Sequence, residues 1–181
     1  MGATQMNEQI LMDLVERTRS RFYGKYRGTV TEVGTGSDLG RIKAKVPAVL
    51  GPDQETGWCT PCVPYAGEKA GIAFLPERDA GVWIEFEGGD VSFPIWVGCY
   101  WHQGEIPSRV APEVKVIKTK GNQQIVLDDK DHVITITDSN DNSMTLDRNG
   151  ITIVRDAKPR AGKIAITPGK VSANDDAMEV T

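Results

Sequence analysis

The sequence predicts an all-β protein in which a small barrel is followed by a repeat of short strands whose core is shared between identical chains. Residues 81–101 show a period of two on both sides of a Gly-Gly-Asp turn, which is the pattern of a β-hairpin. The first strand alternates Val82, Ile84 and Phe86 with Trp83 and Glu85. No aromatic residue follows Trp101. Beyond it, pairs of aliphatic residues at i and i+2 recur about every ten residues. A short N-terminal helix completes the predicted architecture.

The composition indicates a folded protein without a membrane span. Hydrophobic residues make up 39% of the chain and charged residues 25%. The net charge of −4 argues against a dedicated nucleic-acid binder, which usually carries a basic face. No run of 18 apolar residues predicts a transmembrane helix, and the start of the chain lacks the basic segment of a signal peptide. Three cysteines suit folding in a reducing compartment.

Residues 7–19 form the one good helical pattern, within an N-terminal arm of residues 1–24. Four aliphatic side chains share one face of this helix: Ile10, Leu11, Leu14 and Val15. The face either docks on the domain of its own chain or binds a partner. We take these four residues as the candidate contact with a partner.

Short strands fill the following segment. The predicted strands are 25–33, 41–46, 60–65 and 71–75, followed by the hairpin 81–101. An open sheet of this size would leave unpaired edges, so closure into a small barrel over residues 25–101 is expected.

The glycine-rich segment Gly34–Gly40 resembles a phosphate-binding loop only superficially. A dinucleotide fingerprint opens a helix, whereas this segment leads into another strand. Glycines with positive φ in a hairpin loop explain the same residues.

Residues 102–112 form a polar linker with Pro107 and Pro112, and residues 113–181 form the repeat. Each predicted strand of the repeat has one aliphatic face and one face of Thr, Asp, Lys or Arg. The expected core residues are Val114, Val116, Ile125, Leu127, Ile134, Ile136, Met144, Leu146, Ile151, Ile153, Ile164 and Ile166.

Two medium aliphatic residues per strand, with no aromatic residue, are too little to form the core of a single chain. A narrow aliphatic row can be buried in a single-chain solenoid or by several identical chains around one axis. The irregular spacing of the pairs favours the second arrangement, an intertwined oligomer.

The sequence offers few candidates for chemistry. Cys59 and Cys62 form a CxxC motif that no helix follows, which argues against redox activity. With Cys99 and His102 they mimic the ligands of a zinc site, but Cys62 and Cys99 fall on predicted strands and are expected in the core. We expect no bound metal or cofactor, and the zinc question stays open at this point.

No catalytic constellation stands out either, and we expect no enzyme activity. The aspartates of residues 128–147 lack the spacing of known calcium loops and are better explained as turn formers. Trp83, Trp96, Tyr100 and Trp101 could stack nucleic-acid bases or sugars on the barrel. Because carboxylates crowd the same segment, no nucleic-acid partner is expected, and such a binding module is kept only as the alternative.

A series of motifs, in order, resembles one known family. The motifs are Tyr26–Thr31 (YRGTVT), Leu39–Pro47 (LGRIKAKVP), Trp58, Pro61–Gly67 (PCVPYAG), Phe74–Pro76 (FLP), Gly81–Asp90 (GVWIEFEGGD) and Pro94–Gly98 (PIWVG). They resemble the OB-fold barrel of the phage baseplate assembly protein V and VgrG-type spikes of contractile injection systems. In that family a trimeric β-helical or β-prism needle follows the barrel.

This resemblance implies a structural homotrimer at the centre of a baseplate. The trimer would be assembled in the bacterial cytoplasm and built into a virion tail or an injection particle. It would join the hub protein to the tip and be driven through the target cell envelope when the sheath contracts.

Some relatives carry extra parts that the resemblance does not imply here. The linker 102–112 has no room for an inserted lysozyme domain. Neither His102 nor His132 lies near the end of the chain, which argues against a histidine-bound iron tip and favours a separate PAAR-like tip protein. With 24 residues before the barrel, a separate hub protein is expected, and the helix face of Ile10, Leu11, Leu14 and Val15 is the candidate contact with it.

Overall fold

A computed structural model describes residues 2–156, 162–174 and 177–180 of the chain. Its contacts divide the chain into two compact units, Met1–Gly104 and Glu105–Thr181. The division falls inside the segment predicted as a linker. Strands dominate both units, so the predicted all-β class is confirmed.

The first unit begins with a helix and continues with seven strands. The helices are α1 (Gly2–Arg19) and the single turn α2 (Pro47–Leu50), and two 3-10 turns lie at Gly36–Asp38 and Glu87–Gly89. The strands are β1 (Tyr26–Val33), β2 (Ile42–Lys45), β3 (Thr60–Pro61), β4 (Ala66–Gly67), β5 (Ala70–Gly71), β6 (Gly81–Phe86) and β7 (Pro94–Tyr100). Helix α1 begins five residues before the predicted segment.

Five of these strands form a curled sheet in the order β2-β1-β6-β7-β3. Residues 55–62 join its two edges. On one side, the Cys59 N–H donates to the Ile42 carbonyl oxygen at 2.7 Å. On the other side, the Cys62 N–H donates to the Trp96 carbonyl oxygen at 2.9 Å. Since both edges are paired through this segment, the sheet closes on itself as an OB-type barrel.

The barrel encloses one apolar core. Alternate residues of the strands point inward, as a period of two requires. The buried members are Val30, Ile42, Ala44, Val46, Cys59, Val82, Ile84, Phe86 and Trp96. Half-buried side chains such as Phe22 and Tyr26 pack against this core from the segment before and at the start of β1.

A bulge in the hairpin of β6 and β7 decides which side chains enter this core. Trp83 lies opposite Gly98, but Ile84 lies opposite Trp96, so Val97 is the extra residue. The bulge puts Trp96 in the core, with 4% exposure, while Ile95 is only half-buried. The aromatic residue of this strand is therefore the inward one.

Two of the predicted strands are shorter than the sequence suggests. Of the strand predicted at 60–65, only Thr60–Pro61 is a strand, because the chain leaves the sheet after the hydrogen bond of the Cys62 N–H to β7. The strand predicted at 71–75 is wrong beyond Gly71. Residues 66–71 instead form a separate small hairpin, and Ile72 and Phe74 are 46% and 65% exposed, unlike side chains on a half-buried strand.

The second unit is an eight-stranded antiparallel sheet in which each strand pairs with the next along the chain. Its strands are β8 (Val114–Lys118), β9 (Gln124–Asp128), β10 (Val133–Thr137), β11 (Ser143–Asp147), β12 (Gly150–Arg155), β13 (Gly162–Thr167), β14 (Lys170–Ala173) and β15 (Met178–Val180). The repeat of short strands predicted after residue 113 is thus a meander.

Aspartates at strand ends shape three of its turns. Asp128 accepts backbone N–H groups of Lys130 and Asp131 at 3.1 and 3.0 Å. Asp147 accepts the Asn149 N–H at 2.7 Å. Asp138 accepts the backbone N–H of Asn142 at 2.9 Å and its side-chain amide at 2.7 Å. These carboxylates act as turn formers, as the sequence predicts.

Candidate functional site

The eight-stranded sheet has one strongly aliphatic side, which we call the apolar face. Directly opposed residues of antiparallel strands point to the same side of a sheet. The register gathers ten of the predicted core residues, with Ile117 and Val171, on this side. They are Ile117, Ile125, Leu127, Ile134, Ile136, Met144, Leu146, Ile151, Ile153, Ile164, Ile166 and Val171.

These side chains form two rows across the strands. The first row is Ile117, Ile125, Ile136, Met144, Ile153 and Ile164. The second row is Leu127, Ile134, Leu146, Ile151, Ile166 and Val171. Because every member lies directly opposite the next, each row is continuous from strand to strand.

The apolar face is open in the single chain. Its most exposed aliphatic members, between 39% and 47% exposed, are Leu127, Ile134, Ile136, Ile153, Ile164, Ile166, Val171 and Ile117. On the other side of the sheet, Val126 is only 1% exposed and Thr135 and Thr145 are half-buried. The larger apolar side chains are thus the ones left in contact with water, which marks a surface that another molecule covers.

Two predicted core residues do not belong to this face. Val114 lies opposite Asp128 and Val116 opposite Val126, which places both valines on the other side of the sheet. The segment Val-Lys-Val-Ile-Lys carries aliphatic side chains on both sides, so its i, i+2 pattern is ambiguous. The pairing across the β8–β9 turn places Ile117 on the apolar face, and the i, i+2 pattern of the sequence does not predict this.

Helix α1 also exposes its apolar side chains. Ile10, Leu11, Leu14 and Val15 are between 44% and 65% exposed. The four predicted contact residues therefore remain open within the first unit. At the end of the helix, Arg21 pairs with Asp90 of the barrel at 2.9 Å.

The cysteines and His102 do not come together as a metal site. Among the described residues, no group of three or more His, Cys, Asp or Glu side chains is arranged to hold a metal ion. Cys59 is buried, whereas Cys62 and Cys99 are exposed. The expectation that Cys62 and Cys99 lie in the core is therefore wrong: the chain leaves the sheet at Cys62, and Cys99 lies near the end of β7.

Cys59 is a buried residue of the barrel core. Burial raises the pKa of its thiol to about 11, and the hydrogen bond with Thr56 opposes that shift only in part. The Thr56 hydroxyl lies 3.2 Å from the Cys59 sulfur and accepts the Ala44 N–H at 3.1 Å. A thiol of this kind is protonated and unreactive at neutral pH.

The aromatic side chains of the hairpin are mostly engaged within the barrel. Trp96 is buried, so its ring is not available for stacking. The Arg27 guanidinium lies 5.5 Å from the Trp83 ring and 5.4 Å from the Tyr100 ring. Trp101 alone of the four candidates is more than half exposed, at 62%.

Comparison with protein families accounts for both units. Residues 26–101 match the family described as the type VI secretion system/phage-baseplate injector OB domain. Residues 114–179 match the phage baseplate V C-terminal trimerisation domain. The chain belongs to the phage baseplate V family. A search of curated proteins found no match.

The family assignment explains the open apolar face. The trimerisation domain spans the strands that carry it, which assigns homotrimer formation to this part of the baseplate V chain. Together the two domains give the chain a structural role in a phage or type VI secretion baseplate. Within the described residues, no helix has the length and apolar character needed to cross a membrane.

Proposed function

We propose that this baseplate V protein is the central spike of a contractile tail or injection system, a homotrimer that links the hub to the tip and punctures the target envelope. The observation that carries the proposal is the apolar face. It lies within the residues that match the trimerisation domain, and its larger side chains are about two-fifths exposed in one chain. Two further copies would supply identical surfaces to cover it.

The energetic gain from covering this face is large. A fully buried Leu or Ile side chain contributes about 1.5–3 kcal/mol, so covering the exposed two-fifths contributes about 1 kcal/mol per side chain. Summed over the two rows, the gain is on the order of 10 kcal/mol per chain. That is of the same order as the free energy lost when a chain gives up its translational and rotational freedom on association, about 4–15 kcal/mol.

We propose that the three copies form a β-prism in which each chain supplies one sheet. Strands β9 to β14 already pair with a neighbour of the same chain on both sides. Their backbone groups are therefore satisfied without exchange of strands between chains. In this form the chains share a core through their side chains, and each keeps its own ladder of hydrogen bonds.

This arrangement suits a part that is pushed through an envelope. Compression along a prism would be resisted by three ladders in parallel, tied to one dry core. No catalytic group is needed for such a function. The target is the cell envelope, and the tip of the spike would be covered by a PAAR-like protein.

The second partner in the proposal is the hub protein. An amphipathic helix commonly binds by laying its apolar side in a groove of the partner. Ile10, Leu11, Leu14 and Val15 provide such a side. A Leu11→Asp, Leu14→Asp double variant should lose binding to the hub protein isolated from the same particle. A Glu8→Ala variant, altered at an exposed position of the same helix, should retain it; equal binding by both variants would remove α1 from the contact.

A single substitution on the apolar face tests whether this face holds the trimer together. Ile136→Asp places a charge at the shared core and should convert the trimer to monomers, measured by light scattering. Thr167→Asp, at an exposed position on the other side of the sheet, is the matched control and should leave the trimer intact. Tryptophan fluorescence should stay unchanged in both, because all four tryptophans lie between residues 58 and 101. A trimeric Ile136→Asp protein would contradict the proposal.

A further inference from the structure

The two rows of the apolar face repeat with little variation. Leu127 and Leu146 occupy equivalent places two strands apart in the second row, and Ile125 and Met144 do so in the first. Moving one chain by two strands restores the direction of each strand and shifts it by about 10 Å. Most aliphatic contacts would be replaced by similar ones. Aliphatic packing alone therefore distinguishes poorly between an aligned trimer and a slipped one.

Strand β8 breaks this repeat with a charge. Lys115 lies directly opposite Leu127, so it occupies the apolar face at the place where the second row would otherwise continue. In the same strand Ile117 continues the first row opposite Ile125. The second row thus ends at Leu127, with an ammonium group beyond it.

The ammonium group of Lys115 is held at the N-terminal end of the sheet. It forms an ion pair with Asp129, and it donates to the Pro112 carbonyl oxygen at 3.1 Å. The backbone N–H of Asp129 in turn donates to the Glu113 carbonyl oxygen at 2.9 Å. Both partners of the ion pair are more than half exposed in the single chain. The charge therefore points toward residues 112–113, which immediately precede β8, and stays in contact with water.

We propose that Lys115 sets the register of the trimer by making slipped assemblies unfavourable. The inference rests on the proposed function, in which the apolar face is the trimer core. In the aligned trimer, three Lys115 residues lie at one open end of the core, each beside its own Asp129. In a slipped trimer, at least one Lys115 lies against the aliphatic rows of its neighbours.

The physical reason is the cost of desolvating a charge. Removing an ammonium group from water, without ion pairs or hydrogen bonds that fully replace its hydration, costs far more free energy than one aliphatic contact supplies. A single polar residue in a repetitive shared core is a known way to fix register and the number of chains, at some cost in stability. Lys115 has the position, at the end of an aliphatic row, and the charge that such a function requires.

Disulfide trapping in the full chain tests this inference. Cys62→Ser and Cys99→Ser remove the exposed thiols, and one tagged version then receives Leu127→Cys and another Leu146→Cys. The two versions are refolded together and oxidised. Because a disulfide requires Cα atoms within about 7 Å, an offset of about 10 Å permits only same-site disulfides in aligned trimers. A mixed-site disulfide between the two versions reports slippage.

We expect mixed-site disulfides to be rare with Lys115 in place and to rise on the order of tenfold in Lys115→Met. Lys115→Gln, which keeps a polar but uncharged side chain, should give an intermediate value. Lys118→Met is the matched control, since Lys118 lies in the same strand on the other side of the sheet. It should give the same value as the parent chain. The thermal stability of the Lys115→Met trimer should equal or exceed that of the parent.

Two results would overturn the inference: unchanged mixed-site disulfides in Lys115→Met, or a loss of trimer stability in that variant. Failure of the proposed function gives a different result. In that case no same-site disulfide forms at Leu127 and light scattering reports monomers, whatever residue stands at position 115. A third result separates the two proposals. If same-site disulfides form but Lys115→Met does not change the mixed-site disulfides, the trimer is supported and only the register proposal is wrong.

Discussion

The indole Nε1 of Trp96 donates a hydrogen bond to the carbonyl oxygen of Gly40 at 3.2 Å. This bond ties strand β7 to the turn that precedes β2, across 56 residues of chain. The rest of the indole is buried against the barrel core, with 4% of the residue exposed. Trp96 thus combines a large buried surface with a satisfied polar group, which is what a buried tryptophan requires.

Replacement of Trp96 should destabilise the barrel in two steps. Trp96→Phe removes the hydrogen bond and part of the ring, with an expected loss of about 1–2 kcal/mol in the free energy of unfolding. Trp96→Ala leaves a cavity, with an expected loss of about 3–5 kcal/mol. Denaturant unfolding followed by the fluorescence of the remaining tryptophans measures both. Trp101→Phe, altered at an exposed position, is the control; a loss as large as that of Trp96→Ala would contradict the assignment of the core.

Gly150 makes a close backbone contact in the eight-stranded sheet. Its φ is +136°, and a Cβ atom at this position would lie 1.9 Å from the carbonyl oxygen of Ile166. Gly150→Ala should therefore force β12 and β13 apart and lower the melting temperature of the trimer. Gly169→Ala is the control, because its φ is +77° but nothing lies within 4 Å of the added Cβ atom. It should cost only the backbone strain, about 1 kcal/mol. Equal melting temperatures for the two variants would contradict the register of β12 and β13.

The three thiols should react at different rates. Burial raises the pKa of the Cys59 thiol to about 11, and burial together with the Glu77 carboxylate raises the pKa of the Cys99 thiol. At pH 8 a thiol reagent should modify Cys62 first, Cys99 more slowly and Cys59 only after unfolding. Mass spectrometry of the modified peptides measures the order. Rapid modification of Cys59 in the folded protein at pH 8 would show that the barrel does not bury it.

The same thiol makes stability depend on alkaline pH. Because the pKa of Cys59 is raised on folding, the folded state holds this proton more tightly than the unfolded state does. The resulting stabilisation is present below the unfolded pKa of 9.0 and is lost as pH rises through about 11. A Cys59→Ala variant should lack this component of the pH dependence between pH 9 and 11.

The barrel could be predicted from the sequence because its signals are local. The alternation of Val82, Ile84 and Phe86 with Trp83 and Glu85 indicates which side of β6 is buried, and the structure buries all three. The inward orientation of Trp96 could not be predicted, since it depends on a bulge at Val97 that the alternation of β7 does not reveal. The strand predicted at 71–75 is wrong beyond Gly71 for a similar reason. Apolar composition alone does not show whether a segment has a neighbouring strand to pair with.

The apolar face was predictable where two aliphatic residues at i and i+2 face mostly polar neighbours on the other side of the strand. Ile134 and Ile136 alternate with Val133, Thr135 and Thr137, and their side of the sheet follows directly. In β8, by contrast, Val114 and Val116 compete with Ile117, and only the pairing with β9 decides between them. The position of Lys115 on the apolar face could not be inferred for the same reason. Register is a property of two strands, and one segment of sequence does not specify it.

The mass of the chain in solution is the most direct test of the homotrimer. Light scattering on the 181-residue chain, at concentrations where a weak association would dissociate, should give three times the 19.8 kDa of one chain. The mass should stay constant on dilution, because the two aliphatic rows of each chain are covered only in the assembly. A mass of 19.8 kDa, with the eight-stranded sheet still folded by circular dichroism, would show that the apolar face does not hold three chains together.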